Sequence, residues 1–96
     1  MELVNQEVIQ DLASTLNLLS DPVRLSIVMY LIDEPSSVGT IANDLKISQP
    51  LVSHHLRVLK ASRVVKATKS GKNVIYELIN KGVKEIILLA LKNEVR

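Results

Sequence analysis

Ninety-six residues suit a single compact domain, residues 1–96, and are too few for two. The chain has no cysteine, no Phe, no Trp and two Tyr, which excludes disulfides, thiolate metal centres and aromatic platforms for unpaired bases. Net charge is only +2, yet seven bases (Lys46, Arg57, Lys60, Arg63, Lys66, Lys69 and Lys72) stand between Asp44 and Glu77 without one acid. The rest of the chain holds five bases against all ten acids, so a basic block sits on an acidic molecule, the footprint of a polyanion binder. A solvated charged face is the plainer alternative, although acids ordinarily intersperse such a face. The start "MELVNQEVIQ" lacks the basic-then-apolar order of a secretory leader, and the longest apolar run, Ile86 to Leu91, is six residues. Both point to a cytoplasmic protein without membrane contact.

In chain order, Val4, Val8, Ile9, Leu12, Leu16 and Leu19 recur at helical spacing and predict a first helix. "DPVRLSIVMYLID" predicts a second, because Asp21 followed by Pro22 is a favourable helix start. Pro35 in "DEPSS" ends it, since the residue before a proline avoids the α region. Ser37 is the expected cap of a short third helix, "SVGTIANDL", with Ile41, Ala42 and Leu45 facing inward. After the tight connection "KIS", Ser48 opens a fourth helix whose first turn tolerates Pro50. Two helices joined by so short a turn form a helix-turn-helix unit.

Beyond "KASR" the period changes. The β-branched runs "VVKATK" and "VIYELI" flank "SGKN", where Gly71 supplies the positive φ of a hairpin turn. A last helix is predicted from about Lys81 to Asn93. The expected fold is mainly α, a winged helix-turn-helix in the order α-α-α-α-β-β-α. In the last helix Val83, Ile86, Ile87, Leu88, Leu89, Ala90, Leu91 and Val95 cover roughly 260° of the wheel, against about 100° for a surface helix of a monomer. The excess predicts a homodimer through the first and last helices, with Leu12, Leu16, Val83, Ile86, Ile87, Ala90 and Leu91 in the interface.

The fourth helix carries the chain's only histidines, His54 and His55. At about 100° per residue, Leu51, Val52, Leu56, Val58 and Leu59 define an arc of roughly 160° expected to face the core. Gln49, Ser53, His54, Arg57 and Lys60 fall outside that arc, and His55 falls within it. Neighbours diverging by about 100° cannot hold one metal ion, for which helices use i,i+4 pairs. The outward residues are types that bond base edges and phosphates. His54 is therefore read as a base or phosphate contact, against a surface histidine with no role. His55 is read as packed or interfacial. No Ser, Cys or carboxylate stands as a catalytic partner, and no cofactor motif is present, so no enzyme is expected. A winged-helix adaptor or antirepressor that binds protein is the alternative function.

Three stretches, "LSDPVRLSIVMYL", "IANDLKISQPLVSHHLRVLKASRVV" and "KSGKNVIYEL", resemble the ArsR/SmtB family of small bacterial winged-helix repressors. The resemblance implies that Ser48, Gln49, Ser53 and His54 read DNA and that Arg63, Lys69 and Lys72 touch phosphates near the wing. With Pro50, Arg57 and Lys60 these complete the expected DNA-binding set. It further implies a homodimeric repressor on an imperfect palindromic operator in double-stranded DNA, released by an inducer. The family's best-known metal sites are missing: there is no cysteine, and Asn80, Gly82, Asn93 and Arg96 stand where the last-helix ligands would be. No metal and no cofactor are expected, and the inducer is left open. Arg24 is read as a structural salt-bridge partner, with anion binding as the alternative.

Overall fold

The computed structural model describes residues 5–94; Val4, Val95 and Arg96, invoked above, lie outside the described residues. The elements are α1 (Gln6–Leu18), α2 (Pro22–Asp33), β1 (Ser36–Ser37), α3 (Val38–Leu45), α4 (Gln49–Ala61), β2 (Val65–Ser70), β3 (Asn73–Leu78) and α5 (Lys81–Glu94). The expected winged helix-turn-helix is present, with α3 and α4 as its helix pair and β2–β3 as the wing. Strand β1 was not expected. It adds one antiparallel edge, in the sheet order β1-β3-β2, by pairing Ser36 with Tyr76 and Ser37 with Ile75. Two serines have no strand pattern of their own, and only the partner strand makes them one.

Side chains cap the helix starts. Asp21 accepts from the Arg24 amide at 2.8 Å with Pro22 in the first turn, and Ser48 accepts from the Leu51 amide at 3.3 Å. Ser37 does the same for α3 through the Thr40 amide, 3.3 Å away. Each satisfies a donor that the first turn leaves orphaned. Between α3 and α4 the chain reverses at Lys46, which takes the left-handed conformation (φ 57°). The wing turns over Gly71 and Lys72, with Ser70 opposite Asn73 and Gly71 at φ 61°. A glycine in that first position suits a two-residue hairpin loop.

An aliphatic core fills the space between the helix pair, α2 and the sheet. Ile27, Val28 and Leu31 of α2 meet Ile41 and Ala42 of α3, Val52, Leu56 and Leu59 of α4, and Val64 and Val65. Two wheel-based expectations need correction. Leu51, placed in the core-facing arc, is 40% exposed, because it lies at the edge of an arc whose buried members are Val52, His55, Leu56 and Leu59. Val83 and Ile87, placed in the dimer interface, are buried in the protomer's own core at 1% and 5% exposure. They supply the stripe that docks α5, so they are not available to a second subunit. Ile86 and Ala90 on the neighbouring arc are exposed, and Leu91 is half-buried against the core.

Helix α1 joins this core at its end, where Leu18 packs against it. None of its residues is buried, and Val8, Ile9, Leu12 and Leu16 are all between 43% and 50% exposed. An amphipathic helix with its apolar face in water calls for a covering surface. No single helix among the described residues is long and apolar enough to cross a membrane.

Candidate nucleic-acid interface

Helix α4 is held from behind by Val52, Leu56 and Leu59, which fixes the direction of its other side. Gln49, Pro50, His54, Arg57 and Lys60 are exposed there, and Ser53 is half-buried. Ser48 is exposed at the helix start; its oxygen accepts from the Leu51 amide, and its own hydroxyl hydrogen can still donate. Leu51 was missed as a surface residue. It presents an apolar side chain beside Gln49, the kind that contacts a thymine methyl.

The wing comes alongside. Lys72, Asn73 and Val74 from its tip share a groove of about 370 Å³ with Gln49 and with Ser37, Val38 and Gly39 at the start of α3. Lys72 and Gln49, separated by 23 positions in the chain, are thereby brought to one place. Lys69 is exposed on β2, whereas Lys66 lies opposite Glu77 across the hairpin with its ammonium 3.6 Å from that carboxylate. This exposed pair contributes little to stability. It does take one of the seven bases out of the basic field. The other six form no ion pair among the described residues.

Arg63 ends α4 under strain. Its amide donates to the Lys60 carbonyl and the Val64 amide to that of Leu59, closing the helix, with Arg63 itself at φ 60°. Glycine is the usual residue in that position. Arg63→Gly should therefore raise the unfolding free energy by about 0.5–1 kcal/mol in a urea melt, the left-handed penalty less the flexibility of glycine. The same variant should bind DNA more weakly. A variant no more stable than the wild type would show that the left-handed position of Arg63 carries no strain.

The two histidines part company. His54 points outward, while the His55 ring is buried on α4 with a ring-centroid separation of 5.2 Å between them. Nδ1 of His55 accepts from Arg24 Nε at 3.3 Å, and Nε2 lies 3.7 Å from Asp21 Oδ2. Burial pushes the His55 pKa below its ordinary value; the Asp21 carboxylate opposes this, and Arg24 and His54 add to it. Asp21 is in turn held below the usual carboxylate range, chiefly by the hydrogen bond from the Arg24 amide. Arg24, expected to form a salt bridge, instead donates from its side chain to an imidazole and to the Leu18 carbonyl (3.1 Å).

At the positions matched to the last-helix metal site, Asn80 uses its side-chain oxygen to accept from the Val83 amide at 3.0 Å, starting α5. No group of three or more His, Cys, Asp or Glu side chains that could hold a metal occurs among the described residues.

Residues 21–67 match the family described as "Bacterial regulatory protein, arsR family". The HTH-type transcriptional repressor SmtB of Mycobacterium tuberculosis is 36% identical over 86 residues, which make up 90% of this chain and 64% of that protein. The chain thus spans just under two thirds of that relative's length. The crystal structure of the transcriptional repressor BigR from Xylella fastidiosa superposes with a TM-score of 0.85 at 30% identity, covering 95% of this chain and 92% of the other. A homodimeric winged helix-turn-helix DNA-binding domain from Mycobacterium bovis, Mb0332, has the same fold, with a TM-score of 0.81 at 22% identity over 92% and 82% of the two chains.

Proposed function

The chain belongs to the arsR family of bacterial regulatory proteins, and from that premise we propose that it is a homodimeric, sequence-specific repressor of transcription. It binds a pseudo-palindromic operator in double-stranded DNA and works by binding rather than by catalysis, in the cytoplasm. The observation that carries this reading is the exposed side of α4, Gln49 through Lys60, set beside Lys72 of the wing. A helix held from behind by the core, polar in front and flanked by cations, suits the major groove, while a basic hairpin tip suits the adjacent backbone.

Roles divide by chemistry. Gln49 can bond an adenine edge in two places, and Ser53 and His54 lie on the same outward side, one turn along. Ser48 reads DNA with them from the helix start, Arg57, Lys60, Arg63, Lys69 and Lys72 supply phosphate contacts, and Pro50 shapes the leading turn. Affinity then comes mostly from phosphates and falls steeply with salt. Dimerisation uses the faces of α1 and α5 that the protomer leaves uncovered, Leu12 and Leu16 with Ile86 and Ala90. A two-fold pair sets its two α4 helices about one turn of duplex apart, hence the palindrome.

The test is a pair of substitutions on two DNAs. Gln49→Ala should cost about 1–3 kcal/mol on the operator and little on random duplex. Lys72→Ala should weaken both equally and reduce the slope of log affinity against log salt by about one. Matching losses for the two variants on both DNAs would contradict the division of roles.

A further inference from the structure

Three elements meet at the buried His55 ring. It sits on α4, its Nδ1 accepts from Arg24 near the start of α2, and Arg24 Nη1 donates to the Leu18 carbonyl at the end of α1. The Arg24 amide donates to Asp21, whose carboxylate faces the other ring nitrogen. With Nδ1 accepting, the neutral ring carries its proton on Nε2, toward that carboxylate. The charged or titratable groups facing the ring are Asp21 and Arg24 from the α1–α2 corner and His54 from α4 itself.

We propose that Arg24 and His55 are positioning residues that join the DNA-reading helix to the dimer helix, and that a proton on His55 undoes the joint and weakens duplex binding. The inference rests on the DNA-reading role of α4 given above. A proton taken from water onto Nδ1 sets an N–H against the Nε–H of the guanidinium. Two donors and two positive charges then share one hydrogen-bond distance, and the Arg24–His55 bond is lost. Either Arg24 swings away, dropping Leu18 as well, or α4 shifts. Both loosen the placement of α4 relative to α1, and so relative to the second subunit's α4. Two half-sites at fixed spacing do not tolerate that.

His54 faces the DNA and His55 the protein, so the response of His55 is read in a chain whose DNA-facing histidine is replaced. The charge on His55 lies behind α4, a helix diameter (roughly 10 Å) from the phosphates, and beside the Asp21 carboxylate, which offsets it. Because the folded chain disfavours the His55 proton, stability is complete above about pH 6.5, the unfolded value, and declines as pH falls below it. Circular dichroism therefore accompanies each point.

The experiment uses the His54→Gln dimer with and without His55→Gln, on operator duplex at constant ionic strength. Glutamine can accept from Arg24 and donate toward Asp21 without titrating. Between about pH 7.5 and about pH 5.5, His54→Gln should lose about threefold in affinity, since a lowered pKa keeps the loss below the roughly tenfold ceiling of an unshifted histidine, and the double variant less than about 1.5-fold. Parallel pH profiles would overturn the inference. Should the double variant fail to fold, imidazole NMR of the wild type decides: linkage requires operator to lower the pKa of His55 by at least about half a unit. An unchanged or raised value overturns the inference. Wild-type protein that binds no duplex even near pH 7.5 defeats the DNA-reading premise and this inference with it; binding with parallel profiles defeats the inference alone.

Discussion

Leu12→Glu combined with Leu16→Glu should yield a folded monomer that has lost about 10²–10⁴-fold in operator affinity, the factor by which a linked second half-site strengthens the first. The fold should survive because neither residue belongs to the core: Leu12 is 50% exposed and Leu16 is 47% exposed, on a helix with no buried residue. Covering an apolar side chain of this kind contributes about 1.5–3 kcal/mol when burial is complete. Two carboxylates in its place must instead be stripped of water at the interface, which costs far more. Light scattering after size exclusion should report one protomer mass with an unchanged far-UV spectrum. A dimer of normal affinity would show that α1 does not carry the interface.

Ile87→Glu should unfold the protein, whereas Ile86→Glu should leave it folded and only weaken the dimer. One position separates them, yet their surroundings differ completely. Ile87 is 5% exposed among Leu31-type aliphatics of the core, and Ile86 is 37% exposed on the outer arc of α5. Removing the buried side chain alone costs about 2–5 kcal/mol. Adding an unpaired carboxylate takes the total above about 4 kcal/mol, most of what a domain this small possesses. Urea melts of the two variants check the contrast. Equal stabilities would mean that α5 docks through a different stripe.

That contrast also marks how far the residues alone could be read. Local chemistry was legible: Asp21-Pro22 and Ser48 start their helices, and Gly71 turns the wing, because each depends on a few neighbouring atoms. The outward residues of α4 were legible too, since its polar and apolar arcs are distinct. Helix α5 is apolar over so much of its wheel that the pattern could not say which arc meets its own core. Val83 and Ile87 were assigned to the partner for that reason. Strand β1 was invisible because Ser36 and Ser37 become a strand only by pairing with Tyr76 and Ile75. Leu51 stands at the edge of the apolar arc, and a hydrophobic pattern does not say how much of an arc's width the core covers. The Arg24–His55 contact spans 31 positions, and its one sequence signal was a histidine inside an apolar arc.

A fluorescence anisotropy titration of the wild-type protein on duplexes from upstream of its own coding sequence, repeated at rising salt, addresses the central proposal most directly. The account predicts saturable binding of two protomers per site on one such duplex, and a loss of about 10³–10⁵-fold between roughly 50 and 200 mM salt, as several phosphate contacts require. No binding to any of these duplexes at the lowest salt would contradict it.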